Sequence, residues 1–238
     1  EESKLWDLEN VILTPHNSYV GDKNAKEILL NVSYELKVKQ PLLNIGHVVA
    51  EQQLSLRDYD AKSQFALKES SRPVKVTRFE KATNVEGYDW IVAFDRQGFI
   101  NKIEYGQMSL VVDDSSLRPN FWRAPTDNDF GAGLQRRFAD WKEPGLRLTR
   151  EGLKWTKEGN NMVVTAEYEM RRLEATLVMK YILTADGQLI VNQSLKAGEN
   201  KEGKPQLFRF GMQMVMPEAY ANIEYYGNGP GENYIDRN

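Results

Sequence analysis

The 238-residue chain contains no cysteine. That excludes a disulfide framework, a thiolate metal site and a cysteine nucleophile together. Histidine is nearly absent too: His16 and His47 stand far apart in the chain. Both are read as surface or hydrogen-bonded structural residues rather than catalytic groups, since a histidine switch needs a shaped environment. No apolar run approaches the roughly 20 residues of a membrane helix. The net charge of -3 gives no basic footprint for nucleic acid. P-loop, His-Glu-x-x-His and nucleophile-elbow patterns are all missing. Gly131-Ala-Gly133 and Gly227-Asn-Gly229 are too short for dinucleotide fingerprints and read as turns. There is no alternating strand–helix rhythm, which excludes a doubly wound sheet and a complete TIM barrel. Neither an initiator methionine nor a signal-peptide pattern opens the chain, so it is expected to be a piece of something longer.

What is present is an ordinary globular composition, 41% apolar and 27% charged, long enough for one large domain or two modest ones. Its hydrophobic pattern has period two. Leu30, Val32, Tyr34, Leu36 and Val38 alternate with polar residues, as a half-buried strand does. Val48 to Leu56 forms a second strand after a loop broken by Pro41 and Gly46. The polar stretch "DYDAKSQFALKESSRP", ending at Pro73, approaches a domain boundary, with one domain over residues 1–72 and a second over 73–238.

In the second part, two extended runs flank Arg96-Gln97-Gly98, where the glycine suits a left-handed turn. Alternation returns over Val164 to Met170 and over Leu173 to Leu183. Asp186-Gly187 is the strongest hairpin signal, and Phe208 to Met216 predicts one more strand. A single helix is predicted near Leu134 to Trp141, stopped by Pro144-Gly145. Many hairpin-linked strands with almost no helix predict an all-β, antiparallel β-sandwich architecture.

One stretch fits none of this. "NFWRAPTDNDFG", residues 120–131, does not alternate, and Pro125 excludes a helix interior. It is expected to be irregular. Asp127 and Asp129 would share a side in an extended segment, either to bind a cation or to brace the loop through Asx-turns. Glu232 beside its glycines has the same two readings. Trp90 is expected in the core; Trp122, Trp141, Trp155, Tyr225 and Tyr226 are open between core packing and stacking on sugar rings.

Several motifs carry a family resemblance. Arg123, Ala124, Pro125, Asp127, Asn128, Asp129 and Gly131, followed by Trp141-Lys142, resemble the start of the C-terminal small-chain domain of glycoside hydrolase family 2 β-galactosidases. Gly227, Gly229, Pro230, Glu232, Asn233, Tyr234, Asp236 and Arg237 are similar to a second family motif. Arg209 and Gly211 resemble its Arg-x-Gly strand, and "GHVVAEQQLSL" is similar to the last strand of the preceding immunoglobulin-like domain. The resemblance implies a large supersandwich of galactose-mutarotase-like shape, preceded by part of an immunoglobulin-like sandwich.

It also implies that both catalytic glutamates belong to a barrel outside this chain, together with any Mg or Na that the parent uses. No catalytic residue, metal site or cofactor is then expected here. Asp127, Asn128, Asp129 and Gly131 would form a substrate-adjacent lid loop pivoting at Gly131. Trp122 and Arg123 would support it or stack on sugar. The partners implied are a galactoside substrate, the chain's own catalytic barrel and a homo-oligomer. The alternatives are a free-standing carbohydrate-binding β-sandwich or a structural interaction module.

Overall fold

A computed structural model of the chain describes residues 27–58, 72–112, 116–142, 148–198 and 203–223 in full, and residues 11–17 by their backbone course. Most of the polar boundary stretch lies outside the described residues, as do Pro144-Gly145, Tyr225, Tyr226 and the motif from Gly227 to Arg237. The chain divides into two compact units, Glu1–Leu67 and Lys68–Asn238.

The first unit holds a three-stranded antiparallel sheet of β1 (Val11–Asn17), β2 (Ile28–Leu36) and β3 (Val48–Arg57), in that order. The turn between β2 and β3 is closed by Leu36 N–H donating to His47 C=O at 3.0 Å and Gly46 N–H donating to Leu36 C=O at 2.9 Å. The alternation along β2 predicts a half-buried strand, and most of its residues are half-buried, with Ser33 and Leu36 the most covered. β3 is exposed along nearly its whole length.

The second unit is the sandwich. One antiparallel sheet runs β4 (Lys75–Arg78), β5 (Ala82–Glu86), β6 (Trp90–Asp95), β7 (Ile100–Tyr105) and β8 (Met108–Ser109). The other runs β10 (Thr149–Glu158), β11 (Asn161–Met170), β12 (Ala175–Leu183) and β13 (Leu189–Ala197). Between them in sequence lies β9 (Arg118–Asn120), which pairs with β14 (Gly211–Gln213).

Period-two patterning sets the burial. On β12 Ala175, Leu177, Met179, Tyr181 and Leu183 are buried, and the residues between them are not. On β6 Trp90, Val92 and Phe94 are buried, Trp90 in the core as its neighbours predict. The two sheets lock through rings: Phe94 meets Trp155 and Tyr181 edge-on with centroids 5.3 and 5.2 Å apart, and Phe99 stacks on Tyr168 at 4.8 Å. Each such side chain taken fully from water contributes roughly 1.5–3 kcal/mol.

The β6–β7 turn brings backbone against the opposite sheet, because Tyr168 O–H donates to Gln97 C=O at 2.8 Å. Gly98 has φ +89, and a Cβ there would stand 3.1 Å from both Ala166 Cβ and Leu153 Cδ1. Only glycine meets both demands.

Two expectations are corrected. Phe208 to Met216 is not one long strand; its strand is confined to Gly211–Gln213. Its partner β9 is three residues long and centred on Pro119, opposite Met212. Proline has no N–H to offer the ladder, so the short pairing lacks a donor at its centre. Asp127–Gly131, expected to be irregular, is a short helix, α1. Pro125 lies before its N-cap, where it obstructs nothing. The predicted helix after it divides into α2 (Leu134–Arg137) and a 3-10 turn at Ala139–Trp141.

Candidate functional site

The residues singled out at 122–131 follow β9, which pairs with β14, and lead into the short helices. Helix α1 is held by a capping box. Asp129 N–H donates to Thr126 Oγ1 at 3.4 Å, and Thr126 N–H donates to Asp129 Oδ2 at 2.8 Å. The spacing Thr126-x-x-Asp129 is the local signal for this cap. Arg123 adds a fork: its Nη1 and Nη2 donate to Asp129 Oδ2 and Oδ1 at 2.5 and 2.9 Å. The guanidinium beside it, and next the Thr126 N–H, hold the Asp129 carboxyl below the usual aspartate range. Asp129 is buried, and both its oxygens are spoken for. Its role is to brace, which is one of the two readings its sequence allows.

Asp127 and Asn128 are exposed. Because the segment is helical, residues two apart fall on different faces; the expectation that Asp127 and Asp129 share a side is corrected. Gly131 ends α1 without a left-handed φ, and a Cβ there would meet nothing within 4 Å. The left-handed glycine is Gly133, the N-cap of α2, at φ +68.

Trp122 and Arg123 meet through Phe208, a residue sequence reasoning gave only a strand position. The Phe208 ring lies 5.0 Å from Trp122, 5.4 Å from Phe138 and 4.4 Å beneath the Arg123 guanidinium. Trp141 is buried against Phe121 at 5.5 Å and donates its indole N–H to Pro205 C=O at 3.3 Å. Trp141 is therefore core. Trp122 is half-buried, with Lys142 Nζ 5.6 Å over its ring.

Phe121, Trp122, Arg123, Trp141 and Lys142 line a cavity of about 400 Å³, completed by Asn120, Arg209 and Gln213. Among the described residues that line it there is no carboxylate. Arg209, Gln213 and Asn120 escaped sequence reasoning as a group, because β9–β14 pairing, not sequence proximity, brings them together. A second hollow of about 320 Å³ includes Glu86, Asp89 and Glu104. Glu86 is paired with Lys75 at 3.8 Å and Glu104 with Lys102 at 2.9 Å. Among the described residues no group of three His, Asp or Glu side chains is placed to hold a metal ion.

Comparison with known proteins bears on this geometry. The family model described as "Beta galactosidase small chain" matches residues 86–238. The beta-galactosidase of Priestia megaterium (strain DSM 319 / IMG 1521) is 29% identical over 221 residues, covering 92% of this chain and 21% of the relative. That of Lactobacillus delbrueckii subsp. bulgaricus is 26% identical over 220 residues, covering 92% and 21%. A beta-galactosidase from Actinobacillus pleuropneumoniae is 26% identical over 258 residues, covering 96% and 23%. The chain thus spans about a fifth of the length of these relatives.

Proposed function

The chain belongs to the β-galactosidase small-chain family, and from that membership we propose that it is a non-catalytic part of a β-galactosidase. The parent hydrolyses terminal non-reducing β-D-galactosides with retention. Its nucleophile and acid/base carboxylates, and any Mg or Na it needs, lie in a barrel outside this chain. The sandwich forms one wall of the active site, with Asp127, Asn128, Asp129 and Gly131 as a lid segment, and it supports homo-oligomer contacts.

The observation that carries this reading is the cavity lined by Trp122 and by Arg123, whose guanidinium is anchored on α1 through Asp129. It has a half-buried Trp122 and amide side chains of the kind that suit a sugar, and among the described residues no carboxylate lines it. Retaining glycoside hydrolysis needs two carboxyl groups about 5–5.5 Å apart. A wall without that pair can shape a site and cannot run the reaction. The capping box and the Arg123–Asp129 fork supply the rigid footing on which a lid turns.

Activity of the 238-residue chain on nitrophenyl β-galactoside tests the non-catalytic assignment. Release of nitrophenol is expected to match the buffer blank at every pH, since both proton transfer and nucleophilic attack are missing. Turnover by material freed of host enzyme would overturn it.

A further inference from the structure

Among the described residues, the cavity lined by Trp122 carries cationic charge that no carboxylate in its lining balances. Arg123, Lys142 and Arg209 all line it. Arg123 is matched by Asp129. Lys142 and Arg209 are not: both are exposed, and among the described residues neither has a carboxylate within ion-pair distance. Lys142 meets only the face of Trp122, a contact that leaves an ammonium its hydrogen-bond donors. Beside the two cations stand the Gln213 side chain and Asn120. The Asn120 Oδ1 accepts from Trp122 N–H at 2.9 Å, which leaves its NH₂ as a donor. The lining is therefore rich in donors and cations, with an indole as its apolar part.

Such a lining selects its ligand by chemistry. A neutral sugar engages the indole and amides but not the two cations; a simple inorganic anion engages the cations but leaves the indole and amides unused. We propose that the cavity is a carboxylate-binding subsite, with Lys142 and Arg209 as counter-charges and Trp122 and Gln213 contacting the rest of the ligand. Its volume of about 400 Å³ falls within the roughly 300–1,000 Å³ of small-molecule sites. Two sources offer this chemistry at this size: an acidic sugar, or an acidic side chain presented by a polypeptide. The subsite does not depend on the wall-and-lid reading, because its readout is binding to this chain and not hydrolysis.

The test is titration of the 238-residue chain with D-galacturonate and with acetylated, amidated glutamate, followed by calorimetry and tryptophan fluorescence. Methyl β-D-galactoside and the corresponding glutamine derivative serve as neutral controls. At least one acid is expected to bind about tenfold or more tightly than its neutral counterpart, because a hydrogen bond to a charged group contributes more than a neutral one. That binding should weaken as salt is added. Lys142→Met and Arg209→Met are each expected to weaken it about tenfold with the circular dichroism spectrum unchanged. Tighter binding of galacturonate identifies an acidic sugar as the occupant; tighter binding of the glutamate derivative identifies an acidic side chain. Equal binding of acid and neutral forms, wild-type affinity in both variants, or no binding by either acid overturns the proposal.

Discussion

Asp129 accepts from Arg123 through both oxygens and from Thr126 through its N–H and its hydroxyl. All of these donors favour the ionised form, so its carboxyl titrates below the ordinary aspartate value of 3.8. A group with a depressed folded-state pKa contributes stability that is present above its unfolded value and lost as pH falls through the folded one. Asp129→Asn is therefore expected to lower Tm at neutral pH. The gap to wild type should close below pH 3.8 as the native carboxylate protonates. Thermal melts from pH 7 to pH 2 check this, and a gap that stays constant in acid would remove the ionic role. Glycine gives a second contrast at this scale. Gly131 has room for a Cβ and no left-handed φ, whereas Gly133 sits at φ +68. Gly133→Ala should cost about 1 kcal/mol, and Gly131→Ala should cost nothing or gain up to about 1 kcal/mol in helix propensity. In the full-length enzyme proposed above, altered kinetics in Gly131→Ala without loss of Tm is the outcome a lid predicts. Unchanged kinetics would leave α1 as scaffolding.

Neighbouring strands of one sheet separate two tyrosines of equal size. Tyr168 on β11 is fully buried and donates to Gln97 C=O across the sandwich; Tyr181 on β12 is fully buried, and its hydroxyl has no hydrogen-bond partner among the described residues. Desolvation is the leading cause that pushes both phenols far above their ordinary value of 10.0, so both stay protonated throughout the physiological range. Removing the two hydroxyls should have opposite effects. Tyr168→Phe loses a made bond and is expected to cost about 1 kcal/mol. Tyr181→Phe relieves an unmade one and should be neutral or stabilising by up to about 1 kcal/mol. Urea denaturation of each variant decides between these signs. That Tyr168 and Tyr181 are inward residues was legible in the sequence, since both sit in phase with an alternating apolar run. Which of them finds an acceptor was not, because the Gln97 carbonyl comes from a turn in the other sheet. The candidate site divides in the same way. The segment from Trp122 to Gly131 stands out by its own residue types, and Thr126-x-x-Asp129 is a readable cap. Arg209 and Gln213 join it only through the β9–β14 pairing and its placement of Pro119. The helical course of α1 was missed because Pro125 argues against a helix interior but is silent on one that starts after it.

At the scale of the whole molecule, the surface is more apolar than its net charge suggests. In the first unit β3 ends the sheet order, and Val48, Val49, Leu54 and Leu56 upon it are 42–67% exposed. In the second unit Leu207, Phe210, Val215 and Met216 are 39–50% exposed around the short β14, where strand pairing ends. A terminal strand with apolar side chains is a template for another chain, and clustered exposed apolar residues mark surfaces that associate. The net charge of -3 on 238 residues offers little repulsion to oppose this. The chain is therefore expected to self-associate, with a scattering mass that climbs with concentration. Salt should not reverse the association, since apolar contact is not screened as charge pairs are. Leu54→Lys with Leu56→Lys places two like charges along β3, a device that blunts strand edges. If β3 is the contact, this variant should shift association to markedly higher concentration and leave Tm nearly unchanged, because both side chains are already exposed. If it associates as before, the apolar surface around β14 is the contact instead, and Phe210→Lys should then disperse it. A wild-type chain that remains a monomer at high concentration would show that neither surface is adhesive.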